Sequence, residues 1–231
     1  MKAPVIEIFS SFQGEGLYIG QRQIFVRFAG CNLDCSYCDT NDSKSKGSGK
    51  LMTPEEVLDE ISKIKTDDCD VISFTGGEPS LYPDFINEVS SKTDMKVLLE
   101  TNGTLPDNIA SIYKLDIVSM DIKLPEHFKD EYNEKILDDE IKSLNLLIEN
   151  FIPVYCKIVI LPTTDRITIE KVIEKLKDRI ADRNFKIILQ PSSPIEDWKS
   201  NNSKLFELSE IVGKDFDVSV IPQMHKMLNI E

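Results

Sequence analysis

A chain of 231 residues with 41% hydrophobic content can bury the core of one domain, or at most two. Its formal net charge of −13 repels a phosphate backbone and argues against a nucleic-acid binder. With His127 and His225 as its only histidines it offers little to a His-based hydrolase, and no run of about 18 apolar residues reads as a membrane span.

The elements follow in chain order. Residues 5–9 predict a short strand, the glycine-bearing stretch 13–16 a loop, and residues 24–28 a second strand rich in β-formers that runs directly into a cysteine loop. Residues 44–50 (Lys-Ser-Lys-Gly-Ser-Gly-Lys) read as a flexible polar loop. Thr53-Pro54-Glu55-Glu56 is a helix start, with Thr as cap, Pro in the first position and carboxylates in the first turn. Strands are then expected over 71–75, 96–100, 117–121, 154–161, 185–189 and 218–221. Helices alternate with them over about 82–91, 108–113, 138–150, 169–180 and 203–212. Such alternation implies parallel βα units, about six here against the eight of a complete TIM barrel. The fold class is therefore α/β, an open, partial barrel over residues 1–231 as a single domain, with a short N-terminal strand extension and a C-terminal tail. The unusual residues fall at the strand tips 27–40, 75–79, 100–103, 119–123, 157–162 and 190–194, which such a fold gathers at one mouth.

The first tip holds Cys31, Cys35 and Cys38, three of five cysteines within eight residues. A disulfide would strand one thiol and close only a tiny loop. Structural zinc takes four ligands, so a zinc knot would need a remote His or Cys. Iron–sulfur clusters also take four thiolates as a rule; three would leave one iron open to a small molecule. Cys69 and Cys156 read as bystanders, buried free thiols acting as small hydrophobes. Thiols used in this way fit a reducing compartment, and Met1-Lys2-Ala3-Pro4 lacks a signal-peptide pattern, so a cytoplasmic location is expected.

The C-x3-C-x2-C spacing resembles that of the radical S-adenosylmethionine (SAM) superfamily. That resemblance implies a [4Fe-4S] cluster on the three cysteines, with SAM on the open iron as the source of a 5′-deoxyadenosyl radical. Gly76-Gly77-Glu78-Pro79 resembles the superfamily's turn that offers backbone groups to the SAM ammonium. Glu100 and Ser119, at strand ends, could accept from ribose hydroxyls, the alternative for Ser119 and Asp121 being a turn cap and a solvated carboxylate; the likeness implies that Tyr37 and Asp39, flanking Cys38, contact adenine and that Met120, Asp121 and Gln190 complete the cofactor wall.

A narrower resemblance rests on Phe12-Gln13-Gly14-Glu15-Gly16, on Phe25-Val26-Arg27-Phe28-Ala29-Gly30-Cys31 and on Cys35-Ser36-Tyr37-Cys38-Asp39-Thr40. Together these are similar to the 7-carboxy-7-deazaguanine synthase family, over essentially the whole chain. The likeness implies a lyase that converts 6-carboxy-5,6,7,8-tetrahydropterin to 7-carboxy-7-deazaguanine with loss of ammonia, in 7-deazapurine (queuosine and archaeosine) precursor synthesis. It implies Mg²⁺ at Thr40, and a pterin held by Phe12, Gln13, Gly14, Glu15, Thr75 and His225, with Arg27 as the fork on its carboxylate. An electron donor such as flavodoxin or ferredoxin and a homodimer complete the expectation. Within the superfamily the alternative is a glycyl-radical-enzyme activase; outside it, a zinc-binding module.

Overall fold

The structure is a computed structural model that describes residues 1–129 and 132–230. Among the described residues nine strands make one sheet: β1 (Ala3–Phe12), β2 (Arg22–Phe28), β3 (Lys50–Met52), β4 (Val71–Gly76), β5 (Lys96–Thr101), β6 (Ile117–Asp121), β7 (Val154–Ile160), β8 (Lys186–Pro191) and β9 (Asp217–Val220). Their order is β3-β1-β2-β4-β5-β6-β7-β8-β9. Pairing is parallel from β2 through β9, while β1 runs antiparallel to both β2 and β3. The end strands do not pair, so the barrel is open.

Six helices follow strands as the βα reading expects: α1 (Pro54–Ile64), α2 (Pro83–Ser91), α3 (Pro106–Ala110), α4 (Lys135–Glu149), α5 (Arg166–Arg179) and α6 (Asn202–Val212). Thr53 caps α1 through a reciprocal pair of bonds, Glu56 N–H to Thr53 Oγ1 at 3.2 Å and Thr53 N–H to Glu56 Oε2 at 2.7 Å.

Three local expectations are corrected. The first strand spans ten residues rather than five, because β2 and β3 pair with its two edges; polar Ser10 and Ser11 hid that extension from a hydrophobic-pattern reading. The segment 44–50 is not a free loop: its 3-10 turns lie against the cysteine loop, with Gly30 N–H on Ser43 O at 2.7 Å and Cys31 N–H on Lys44 O at 3.1 Å, and Lys50 opens β3. The tail carries a short helix, α7 (Met224–Leu228), that the periodicity was too brief to predict.

Alternation along each strand separates two populations of side chains. Outward residues such as Ile72, Phe74, Val118, Met120, Cys156 and Ile158 pack with the helices in the main core. Inward residues Val71, Leu98, Ile117, Tyr155 and Ile188 form a small apolar plug. Continuing inward along the same strands come Thr75, Glu100, Ser119, Asp121, Lys157 and Gln190, which line a cavity of about 480 Å³.

Candidate active site

The cysteine loop is held from three sides. Gly77 N–H donates to Phe28 O at 3.0 Å, and Glu78 N–H to Gly30 O at 2.8 Å. A Cβ on Gly77 would stand 2.1 Å from Gly30 O, so only glycine permits this approach of the two loops. Asn102 Nδ2 donates to Asn32 Oδ1 at 2.9 Å and lies 4.0 Å from Cys31 Sγ, while Asn32 Nδ2 donates to Thr104 Oγ1 at 2.7 Å. On the third side Ser36 N–H bonds His127 O at 2.8 Å. Leu124 N–H donates to His127 Nδ1 at 3.0 Å, so the ring proton sits on Nε2 and is donated to Val159 O at 2.9 Å. Burial pushes His127 down to about 3; it is a neutral strut, with Tyr37 packed edge-on at 4.4 Å.

All three loop thiols line the cavity. Burial raises Cys31, and it raises Cys35 to about 11. Each of these two thiols feels its loop neighbours, and the Lys123 ammonium nearby favours their ionised forms. Cys69 and Cys156 are fully buried in the main core, away from the cavity. Thr40 Oγ1 lies 3.7 Å from Cys38 Sγ.

From the cysteine loop a chain of alternating charges crosses the barrel floor. Lys123 Nζ donates to Tyr37 Oη at 2.9 Å and pairs with Asp121 at 2.6 Å. Asp121 pairs with Lys157 at 3.4 Å, and Lys157 pairs in turn with Glu15. Burial alone would raise Asp121, but the two ammonium groups hold it down to about 2. Burial likewise opposes the ionised form of Glu15, and Lys157 overrides it, so the net shift is downward. Both lysines are raised well above their ordinary value, since the carboxylates outweigh their burial. All four groups are therefore ionised at neutral pH.

On the opposite wall, Glu100 accepts from Gln13 Nε2 and from Thr75 Oγ1, both at 2.7 Å. Strand register sets Arg27 beside Thr75. Arg27 donates from Nε to Glu7 Oε1 at 2.6 Å and lies over the Phe9 ring at 5.5 Å. The tail closes the mouth: Met224 N–H bonds Gly14 O at 2.8 Å, and His225 packs on Gly14.

The cavity thus brings together Phe12, Gln13, Gly14, Glu15, Arg27, Cys31, Cys35, Tyr37, Cys38, Asp39, Thr40, Thr75, Gly76, Gly77, Glu100, Ser119, Asp121, Gln190 and His225. It leaves out two sequence candidates. Met120 points outward into the core because its neighbours Ser119 and Asp121 point in. Glu78 is fully buried behind the wall, accepting from Ser80 N–H (2.9 Å), Thr101 Oγ1 (2.7 Å) and Asn102 N–H (2.7 Å). Its side chain braces the Asn102 clamp and does not face the cavity. Glu100, read as a ribose acceptor, lines the cavity and accepts one bond on each oxygen, from Gln13 and from Thr75.

Asn102, Lys123 and Lys157, which fall in the predicted strand tips without an assigned role, line the cavity, as does Gln223 of the tail that the resemblance brings near the active site; His127 braces the cysteine loop and has no sequence-based role. Lys157 had left a sign: a single charge within the apolar run Val-Tyr-Cys-Lys-Ile-Val-Ile.

The Radical SAM superfamily model matches residues 25–176. A 7-carboxy-7-deazaguanine synthase from Methanothermobacter thermautotrophicus is 45% identical, covering 100% of this chain and 98% of that protein. The chain belongs to the 7-carboxy-7-deazaguanine synthase family. Another relative of that name, from Methanocaldococcus jannaschii, is 41% identical over 97% of this chain and 98% of its own length; one from Archaeoglobus fulgidus is 34% identical over 100% of both. Among solved structures, QueE from Escherichia coli superposes with a TM-score of 0.66 at 18% identity, covering 95% of this chain and 93% of that one. At that identity it speaks to the fold, an open radical SAM barrel. Membership makes the chain a radical SAM enzyme, with a [4Fe-4S] cluster and SAM as cofactors.

The cavity fits those groups. Three thiols converge on it without a fourth cysteine. Gln190 Oε1, buried in the cavity wall, has no hydrogen-bond partner among the described residues, so it is an acceptor suited to an N–H donor on a ligand. Among the described residues no helix is long and apolar enough to cross a membrane.

Proposed function

We infer that the chain converts 6-carboxy-5,6,7,8-tetrahydropterin to 7-carboxy-7-deazaguanine by ring contraction with loss of ammonia. One observation carries this reading: the family's thiol loop and its Gln-Gly-Glu loop, distant along the chain from Glu100 and Thr75, share one polar cavity with them. When bound, the cluster and SAM would supply the one-electron, hydrogen-abstracting chemistry that the ring contraction needs.

The chain's own residues do the rest. Cys31, Cys35 and Cys38 would hold the cluster. The backbone at Gly76 and Gly77, the Ser119 and Asp121 tip, Tyr37, Asp39 and Gln190 would hold SAM. Arg27 spends Nε on Glu7, and a guanidinium has five N–H donors, so its terminal pair remains to grip the substrate carboxylate. Thr40 would offer one oxygen to Mg²⁺, which keeps several waters and substrate oxygens. Glu100 fixes the rotamers of Gln13 and Thr75; the Gln13 amide is engaged by Glu100, Gln23 and Glu15 N–H, so the Gln13-Gly14 backbone and the Thr75 hydroxyl oxygen would meet the pterin edge. Ionised Glu15, locked by Lys157, offers a carboxylate to the amino-pyrimidinone edge, while His225 covers the ring. A small one-electron carrier of the flavodoxin or ferredoxin kind would reduce the cluster, and the working unit would be a cytoplasmic homodimer of single-domain chains.

The test is anaerobic reconstitution followed by incubation with SAM, dithionite and the carboxytetrahydropterin. A deazapurine absorption with sub-stoichiometric SAM loss is expected. SAM consumed irreversibly without that chromophore would point to an activase instead. Zinc near one per chain without iron would end the radical SAM reading.

A further inference from the structure

Gln223 occupies a position that the preceding assignment does not use. Its side-chain nitrogen donates to Glu15 Oε1 at 2.8 Å and to Asp39 Oδ2 at 3.3 Å, and its carbonyl accepts from Ser193 Oγ at 2.5 Å. Those three partners stand on three elements: the loop after β1, the cysteine loop and the loop after β8. An amide has two N–H donors and one carbonyl, and here all are engaged. A carboxylate could not take this place, because it would face Glu15 and Asp39.

The geometry has a second feature. Glu15 is gripped on both oxygens, Oε2 by Lys157 from the barrel floor and Oε1 by Gln223 from the tail. The floor link continues from Lys157 to Asp121, and the tail link continues from Gln223 to Asp39. In the proposed assignment Glu15 faces substrate while Asp39 and Asp121 face SAM. The floor link is rigid, being built on adjacent strands β6 and β7. The tail link is built on a five-residue helix at the chain end, tied by Met224 N–H to Gly14 and by Lys226 to Asp39 at 3.4 Å. No residue of that helix is buried, so the tail is the more loosely held of the two links.

We propose that Gln223 is a positioning residue that couples the two ligand sites: by spanning Glu15 and Asp39 it makes SAM and pterin bind cooperatively. A ligand that orders one carboxylate fixes the amide, and the amide then presents the other carboxylate already placed. The second ligand meets a smaller ordering cost, and by linkage the benefit is reciprocal. This rests on the proposed assignment of the two sides of the cavity.

The experiment measures SAM affinity of the reconstituted, unreduced protein from the change in the cluster's optical or paramagnetic signal, with and without saturating carboxytetrahydropterin. In the unaltered protein the pterin should tighten SAM by at least about fivefold, the lower end of ordinary coupling. Gln223→Leu keeps the volume and removes all three bonds; whatever it does to SAM affinity alone, it should bring the ratio to within about twofold of unity. Ser193→Ala removes one anchor and should give an intermediate ratio; it also decides the matter if Gln223→Leu does not fold. A merely structural role would weaken both affinities and leave the ratio intact. An unchanged ratio in the folded variant, or a ratio of one in the unaltered protein, overturns the proposal while leaving the family reading in place. Failure of the unaltered protein to bind either ligand would remove both.

Discussion

Lys157→Met is the sharpest probe of the charge chain. Methionine keeps the stem's bulk and removes the ammonium that stands between Asp121 and Glu15. The side chains concerned are little exposed, 11% for Lys157, 22% for Asp121 and 20% for Glu15, so the pair energies are not those of a surface bridge. Removing one partner of a buried pair typically costs about 3–5 kcal/mol. Asp121 keeps Lys123 and Glu15 keeps Gln223, which places the expected loss at the lower end, about 3 kcal/mol, or a fall in Tm of about 6–12 °C for a chain of this length.

The pH dependence gives the loss a signature. In the unaltered protein Glu15 and Asp121 titrate below their unfolded values, Asp121 at about 2, so their stabilisation is present above pH 4–5 and is lost only in stronger acid. Without Lys157, burial becomes the dominant influence on Glu15 and lifts it above its unfolded value. Stability is then lost as pH rises through the raised value, and the deficit should shrink between pH 7 and pH 5. Thermal and urea unfolding of the apo protein at both pH values measures this. A deficit below about 1 kcal/mol, the range of an exposed pair, or one equal at the two pH values would refute the reasoning.

Arg27→Ala should raise the substrate KM much more than it lowers uncoupled SAM cleavage, because its proposed partner is the pterin carboxylate; parallel losses in steady-state assays would contradict that role. Asn102→Ala strips the side chain that ties Asn32 to the tip after β5 and leaves buried partners unpaired, at about 1–3 kcal/mol. Iron release from the reconstituted variant to a chelator should be faster, and an unchanged release rate would show that the clamp does not hold the cysteine loop.

How legible all this was in the sequence can be argued from particular residues. The strand and helix alternation was readable because its causes are local: period-two apolar runs, the Thr53 cap, the prolines that open helices. The spacing of Cys31, Cys35 and Cys38 was readable for the same reason. Phe12 through Glu15 and Arg27 stood out as motifs, although the ten-residue length of β1 did not, since only its partners on both edges define it. Glu78 was a near miss of a general kind. A motif names the place where a loop meets the ligand, but Glu78 Oε1 and Oε2 turn away from the cavity to hold Ser80, Thr101 and Asn102. Met120 lies outside the cavity for a simpler reason, the alternation of Ser119, Met120 and Asp121 across a strand with a wet face and a dry one.

By itself the sequence determined the open βα architecture and the three-thiol loop, because both rest on neighbours a few residues apart. Only the tertiary structure decided which side chains keep company in the cavity. Lys157 lies 142 residues from Glu15, and Gln223 lies 208 residues from it. No local pattern encodes such meetings; they exist because the curl of the sheet carries the loop after β1 across to the inward face of β7, and because the tail returns to the mouth. The electrostatic state of the site follows from that arrangement, since a buried carboxylate is ionised or neutral according to the cation that the fold sets next to it.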